Sequence, residues 1–172
     1  MTEPDQQADQ PDPSEQPEIS GQADSAEQPE TAEQPESPRS LRPHGTERSL
    51  QLATAAAKVA IDNRGQSVQV LDVCKQTALF DYFVIATGTS RRQLHAISEE
   101  IDDVLEKQLD DQRLNIEGYD ESRWIVLDYG SVVVHLFDEE TRSYYDLESL
   151  WADAKVVPLA DLGLSDPSQA DS

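Results

Sequence analysis

The sequence predicts an α/β domain, a mixed sheet of about five strands with helices packed on it. Three observations carry that reading. Helix-spaced apolar positions near 47–62 and 90–105 alternate with runs rich in β-branched and aromatic residues. Two such runs, Trp124 to Tyr129 and Ser131 to Phe137, flank Gly130 in the manner of a hairpin. All 10 aromatic side chains fall between Phe80 and Trp151, so the material for a core is concentrated there.

Taken in order, Thr46 can cap a first helix whose Leu52, Ala55, Ala56 and Val59 share a face, with Asn63-Arg64-Gly65 ending it. Ser67 to Val73 reads as a strand, Val68 and Val70 alternating with Gln69, Leu71 and Asp72. Tyr82-Phe83-Val84-Ile85-Ala86-Thr87 is continuously apolar or β-branched and closed by Gly88, which suits a strand covered on both faces. Ser90 and Gln93 then fit a capping box. Leu94, Ile97, Ile101, Val104 and Leu105 follow at helical spacing, with Glu99, Glu100, Asp102, Asp103 and Glu106 on the remaining, solvated side. A short strand near Leu114 to Glu117 precedes the hairpin. A last helical segment places Leu147, Leu150, Trp151 and Ala154 on one face, giving the order α-β-β-α-β-β-β-α.

The 172 residues carry 35 Asp and Glu against 13 Lys and Arg, a formal charge of −22. That balance argues against direct nucleic-acid binding, which requires a basic footprint. The charge is unevenly spread. Residues 1–46 hold 11 acids, 2 bases and 8 of the 10 prolines, and the tetrapeptide EQPE recurs at 15–18, 27–30 and 33–36 without any hydrophobic face. Such a segment cannot bury enough apolar surface to offset ordering entropy, so residues 1–46 are expected to form a disordered acidic tail. The folded domain is expected over 47–160, with a net −10, and a frayed acidic end over 161–172. No secretory signal, transit peptide or membrane span is expected, and the single Cys74 fits a small inert hydrophobe in a reducing cytoplasm.

A search for catalytic groupings yields little. His44, His95 and His135 have no partners at metal-ligand spacing, and Cys74 stands alone, so no metal or cofactor site is predicted. His135 reads either as a half-buried histidine bonded to a polar neighbour or as a contact on an exposed sheet face. The Gly88-Thr89-Ser90 turn could cradle a phosphate at a helix N-terminus. It lacks the lysine and spaced glycines of a P-loop, and a strand-to-helix turn needs glycine and a cap in any case. A nucleotide-binding transferase using this turn is the alternative reading. Trp151 falls on an apolar helical stripe, whereas Trp124 opens a strand and is open to core and interface roles alike. The residues alone therefore describe an acidic α/β binding domain with a basic partner.

Asp81 through Ser90, Trp124 through Gly130 with Val132-Val133-Val134-His135, and Tyr145 through Trp151 resemble the ribosomal silencing factor S (Iojap-like) family. With Glu117-Gly118, these motifs cover about 48–158 in the family's order and approximate spacing. The resemblance implies a nucleotidyltransferase-like topology without the catalytic motif, and a non-enzymatic translational repressor. Such a factor binds the large ribosomal subunit at ribosomal protein L-fourteen and sterically blocks the small subunit. It also implies a homodimer when free. Carried over position by position, Trp124 is the apolar anchor, Asp81, Glu117 and Asp128 supply charge complementarity, and Tyr82 and Tyr129 lie on the contact surface. His135, Tyr145 and Glu148 match family positions and either join that surface or hold the hairpin to the last helix. Ser131 stands where the family usually has aspartate after the hairpin glycine.

Overall fold

In a computed structural model of the protein, residues 46–165 are described. The helix α1 (Glu47–Asp62) is followed by β1 (Gln66–Asp72), β2 (Tyr82–Thr87), α2 (Arg91–Leu109) and β3 (Asn115–Glu117). Then come β4 (Trp124–Asp128), β5 (Val132–Phe137), α3 (Glu139–Tyr145), α4 (Leu147–Leu150) and β6 (Lys155–Val157). A 3₁₀ turn spans Leu159–Leu162. The six strands form one mixed sheet in the order β3-β4-β5-β2-β1-β6. Only β2 and β5 run parallel, and both are buried along their whole length, as expected for a two-faced apolar run.

The caps read from sequence are present. Thr46 Oγ1 accepts from the Ser49 amide at 3.1 Å, and Ser90 Oγ accepts from the Gln93 amide at 3.2 Å. The box at Ser90 is not reciprocal, however. The Gln93 side-chain oxygen takes the Thr89 amide at 2.7 Å, while its amide group reaches the Asn63 and Arg64 carbonyls and ties α2 to the end of α1. Both helices lie on one face of the sheet, over Val68, Val70, Val84, Ile125, Leu127 and Val134. Ala53, Ala56, Ala57 and Ala60 let α1 approach closely, all of them fully buried.

The structure departs from the sequence reading in four places. A sixth strand exists: Lys155, Val156 and Val157 pair with Asp72, Leu71 and Val70 at the edge beyond β1. The expected helix over 147–154 stops at Leu150. An additional helix, α3, precedes it, capped by Asp138 and ended by Asp146 in the left-handed region. In β1 a left-handed Ser67 and a register shift between Gln66 and Gln69 interrupt the regular strand expected there, while Leu71 faces away from Val70 as alternation requires and joins the opposite cluster. Finally, Leu162 and Leu164 pack against the core, so the fold continues past 160. The tail expected over 1–46 lies outside the described residues except for Thr46, as does the end beyond Ser165.

One glycine is required by close approach. At Gly118, φ is +70° and an added Cβ would sit 1.9 Å from the Trp124 carbonyl oxygen. Gly118→Ala should destabilise the domain by about 2 kcal/mol or more, because left-handed strain and a backbone clash coincide there. Urea unfolding of both forms checks this; an unchanged midpoint would contradict it.

Candidate functional site

Alternation along the strands sends Glu117, Trp124, Val126, Asp128, Val133, His135, Phe137 and Phe83 to the face away from α1 and α2. The register sets them in rows, Glu117 beside Val126 and His135, and Trp124 beside Phe137. Among the described residues, the short helices α3 and α4, the Trp151 turn and the β1–β2 connection with Val73 and Phe80 cover this second face, and aromatic rings close much of it. Trp124 stacks on Phe137 with centroids 4.8 Å apart and meets Tyr145 at 4.9 Å. Phe83 meets His135 edge-on at 5.1 Å, Trp151 at 5.0 Å and Phe80 at 5.6 Å.

Trp124 Nε1–H donates to His135 Nδ1 at 3.2 Å. An indole nitrogen can only donate, so Nδ1 is the acceptor and the imidazole proton resides on Nε2. That Nε2–H is buried without a hydrogen-bonding partner. Burial also drives the imidazole down to about 4, so it is neutral at physiological pH. His135 is only 7% exposed and bonded to a polar neighbour, so the first of the two sequence readings describes it, with deeper burial than that reading expects.

Two hollows flank this pair. One, of about 470 Å³, is lined by Trp124, Tyr144, Tyr145, Thr141, Gly118, Arg123, Glu121 and Glu140. The other, of about 190 Å³, is lined by Phe80, Phe83, Val126, Val133 and His135, with Asn115, Glu117 and Asp128. Arg123 is engaged by Asp138 at 3.0 Å and Glu140 at 2.6 Å, which leaves the rims of both hollows predominantly acidic.

The candidate residues separate sharply. Trp124 is half-buried, Glu117 and Tyr145 are exposed, and Asp128 is half-buried, with one carboxylate oxygen accepting the Gly130 amide at 2.8 Å. These four share the open face. Asp81, Tyr82 and Tyr129 do not, being only 2%, 7% and 1% exposed. Asp81 accepts from Ser49 Oγ at 2.5 Å and so fixes α1 to the start of β2. Tyr82 and Tyr129 belong to the cluster beneath the helices, and the Tyr129 hydroxyl donates to Asp102. Burial raises both phenols. These three are corrected from contact residues to structural ones.

Glu148 is likewise structural: it accepts from Arg142 at 2.8 and 2.5 Å, and Arg142 donates to the Ser67 carbonyl and Thr87 Oγ1. It fixes α3 and α4 to β1 and β2 rather than to the hairpin. Asp102, expected on the solvated side of α2, is half-buried between Arg113 and Tyr129. At Ser131 the main-chain oxygen accepts the Asp81 and Tyr82 amides, so this residue ties the turn to the start of β2 through its backbone. Sequence reasoning passed over Phe83 and Val126, although the alternation of β2 and β4 held the signal, and Phe80, which precedes β2 and carried no such signal.

The Gly88-Thr89-Ser90 turn is already occupied. Gln93 takes the Thr89 amide and hydroxyl, and a Cβ at Gly88 would lie 2.5 Å from Leu94 Cδ2, so its glycine serves helix packing. Among the described residues, no three His, Cys, Asp or Glu side chains converge as a metal site, and no helix is long and apolar enough to cross a membrane.

Residues 46–172 match the family model described as ribosomal silencing factor during starvation, RsfS. The chain belongs to the RsfS family. It is 43% identical over 116 residues to the ribosomal silencing factor RsfS of Bacillus subtilis, covering 66% of this chain and 90% of that protein. It is 40% identical over 88 residues to a Mus musculus protein named for mitochondrial assembly of the ribosomal large subunit, covering 50% of this chain and 39% of that one. A crystal structure from Chromobacterium violaceum matches with TM-score 0.57 at 33% identity, covering 59% of this chain and 84% of that one. One from Bacillus halodurans matches with TM-score 0.55 at 34% identity, covering 66% and 99%. The family match spans the aromatic face and both hollows, but leaves the acidic segment before Thr46 outside it.

The buried neutral His135 has a measurable consequence. Between its ordinary 6.5 and about 4, the unfolded chain binds a proton that the folded chain refuses. Stability should therefore fall as pH drops through that window. His135→Phe, which retains a ring without a titrating group, should flatten that part of the stability–pH curve. Urea unfolding across that window reads the effect, and an unaltered slope would count against it.

Proposed function

We propose that this protein represses translation by binding the large ribosomal subunit at ribosomal protein L-fourteen and sterically blocking association with the small subunit. Membership of the RsfS family supports the reading, as does a relative named for large-subunit assembly. The observation that carries it is Trp124, held half-exposed at the centre of an aromatic sheet face with an acidic rim. Ribosomal RNA repels an acidic domain, so the favourable approach is through a basic ribosomal protein. Trp124 is the apolar anchor, Tyr145 widens it, and Glu117 and Asp128 supply the charge complement. Occupancy of the joining surface suffices for the effect, and no enzymatic step is involved. The factor acts in the cytoplasm, and free copies pair as a homodimer through the same apolar face.

We assign the acidic 1–46 segment, with its −9 charge, a separate role in raising the barrier to non-specific association with RNA. The domain that follows it performs the docking.

Trp124→Ala should weaken large-subunit binding by about 2 kcal/mol or more, roughly thirtyfold, while the domain stays folded. Co-sedimentation with purified subunits measures it; tight binding by a folded variant would refute the anchor. Deleting residues 1–46 should increase salt-sensitive binding to non-ribosomal RNA and leave large-subunit binding intact. Identical salt dependence and selectivity with and without the segment would exclude that role.

A further inference from the structure

The larger hollow carries groups that anchoring by Trp124 leaves unused. It lies between the loop before β4 and helix α3, and Trp124, Tyr144 and Tyr145 line it. Their rings touch in series, Trp124 with Tyr145 at 4.9 Å and Tyr145 with Tyr144 at 5.0 Å. Tyr144 is 80% exposed, so the interior of the fold gains little from its ring. The charge at this hollow is one-sided. Glu121 and Glu140 line it and are both exposed. Arg123 is the one cation among its lining residues, and Asp138 and Glu140 hold that guanidinium at 3.0 and 2.6 Å. Three carboxylates thus stand against one guanidinium. Among the described residues, no hydrogen bond or ion pair engages the Glu121 carboxylate. The Arg123 carbonyl also accepts the Asp138 amide at 2.9 Å, so backbone and side chain together hold the start of α3 to the start of β4.

Aromatic walls with an acidic rim match one kind of occupant. An apolar side chain would cover the rings but strip water from carboxylates that it cannot pair. A phosphate or an acidic side chain would be repelled. A long basic side chain suits both parts, because its methylene stem is apolar while its head stays charged. Aromatic rings also attract a cation directly. We propose that this hollow is a socket for one lysine or arginine side chain of the basic partner protein. The stem lies against Trp124, Tyr144 and Tyr145, and the cationic head meets Glu121 and Glu140. Tyr144 and Glu121 are then specificity residues, selecting length and charge at one position of the partner. The socket rests on the proposed docking through the Trp124 face and adds a charged contact to it.

The test measures binding of the full chain to purified ribosomal protein L-fourteen by calorimetry. Tyr144→Ala should weaken binding roughly tenfold and Glu121→Gln roughly fivefold. Both residues are exposed, and thermal unfolding checks that the variants stay folded. Each lysine and arginine of the partner is then changed singly to methionine, which keeps an unbranched apolar stem and removes the charge. At one such position the change should be non-additive with Glu121→Gln, the second substitution weakening binding far less once the first is present. Full binding by folded Tyr144→Ala and Glu121→Gln, with Trp124→Ala still impaired, would overturn the socket and leave the docking face standing. Additive losses at every basic position would also overturn it, because no basic side chain would then meet Glu121. Absence of binding by the unaltered chain would remove the functional proposal and the socket with it.

Discussion

Both long helices lie on the same face of the sheet, and that asymmetry governs the rest of the structure. α1 and α2 close the face carrying Val70, Val84, Leu127 and Val134. The opposite face of the central strands is equally apolar, with Phe83, Ile85, Val133 and Phe137. Among the described residues it has α3, α4, a turn and the β1–β2 connection to cover it, and α4 is a single turn of four residues. A helix that short cannot shield several strands, because one turn advances only about 5.4 Å. The exposed apolar area is instead reduced by rings in tilted and edge-to-face contact, from Tyr145 through Trp124 and His135 to Phe83 and Trp151. An aromatic surface of this kind is stable in water and still has more to gain by meeting a partner.

The Trp124–His135 hydrogen bond turns that cover into a rigid feature. Stacking on Phe137 fixes the indole plane, and the bond to Nδ1 fixes its rotation within that plane. Gly118 lets the preceding loop fold directly over the Trp124 carbonyl. His95 holds the same loop from α2, stacked on Tyr119 at 4.1 Å with its Nε2 2.8 Å from the Tyr119 carbonyl. A side chain constrained on three sides loses little rotamer freedom on association, which is the general advantage of preorganisation. The neutrality of His135 belongs to the same arrangement, because a protonated Nδ1 could not accept the indole hydrogen.

Much of this architecture was legible in the sequence. The continuous run from Tyr82 to Thr87 declared a two-faced strand, and Thr46 and Ser90 announced their helices through cap chemistry. The pieces that escaped depend on tertiary context. Lys155-Val156-Val157 is too short to declare a strand and becomes one only because the edge of β1 needs a partner. Asp146 divides what reads as one helix by adopting a left-handed conformation that composition does not signal. Of the residues expected at a contact surface, Trp124 and Glu117 lie on the open face, while Asp81, Tyr82 and Tyr129 are buried. Their motif positions say that they matter without saying why. Asp81 holds α1 to β2, and Tyr129 reaches Asp102 beneath the helices, both interior tasks.

Charge shows the same separation between what a sequence counts and what a surface presents. The domain's net −10 suggests a uniformly acidic particle, yet many carboxylates are engaged internally. Asp102 lies between Arg113 and Tyr129, Glu148 is clasped by Arg142, and Asp138 caps α3 while holding Arg123. Around the aromatic face the exposed carboxylates are a small set, chiefly Glu117 and Glu121, with Asp128 half-buried beside them. Coulombic attraction between exposed groups is worth little per pair in water and fades beyond about 10 Å at moderate salt. The proposed recognition through this face therefore depends on where those few carboxylates stand relative to the rings. In that proposal an acidic total brings a basic partner closer, and the geometry around Trp124 decides whether it stays.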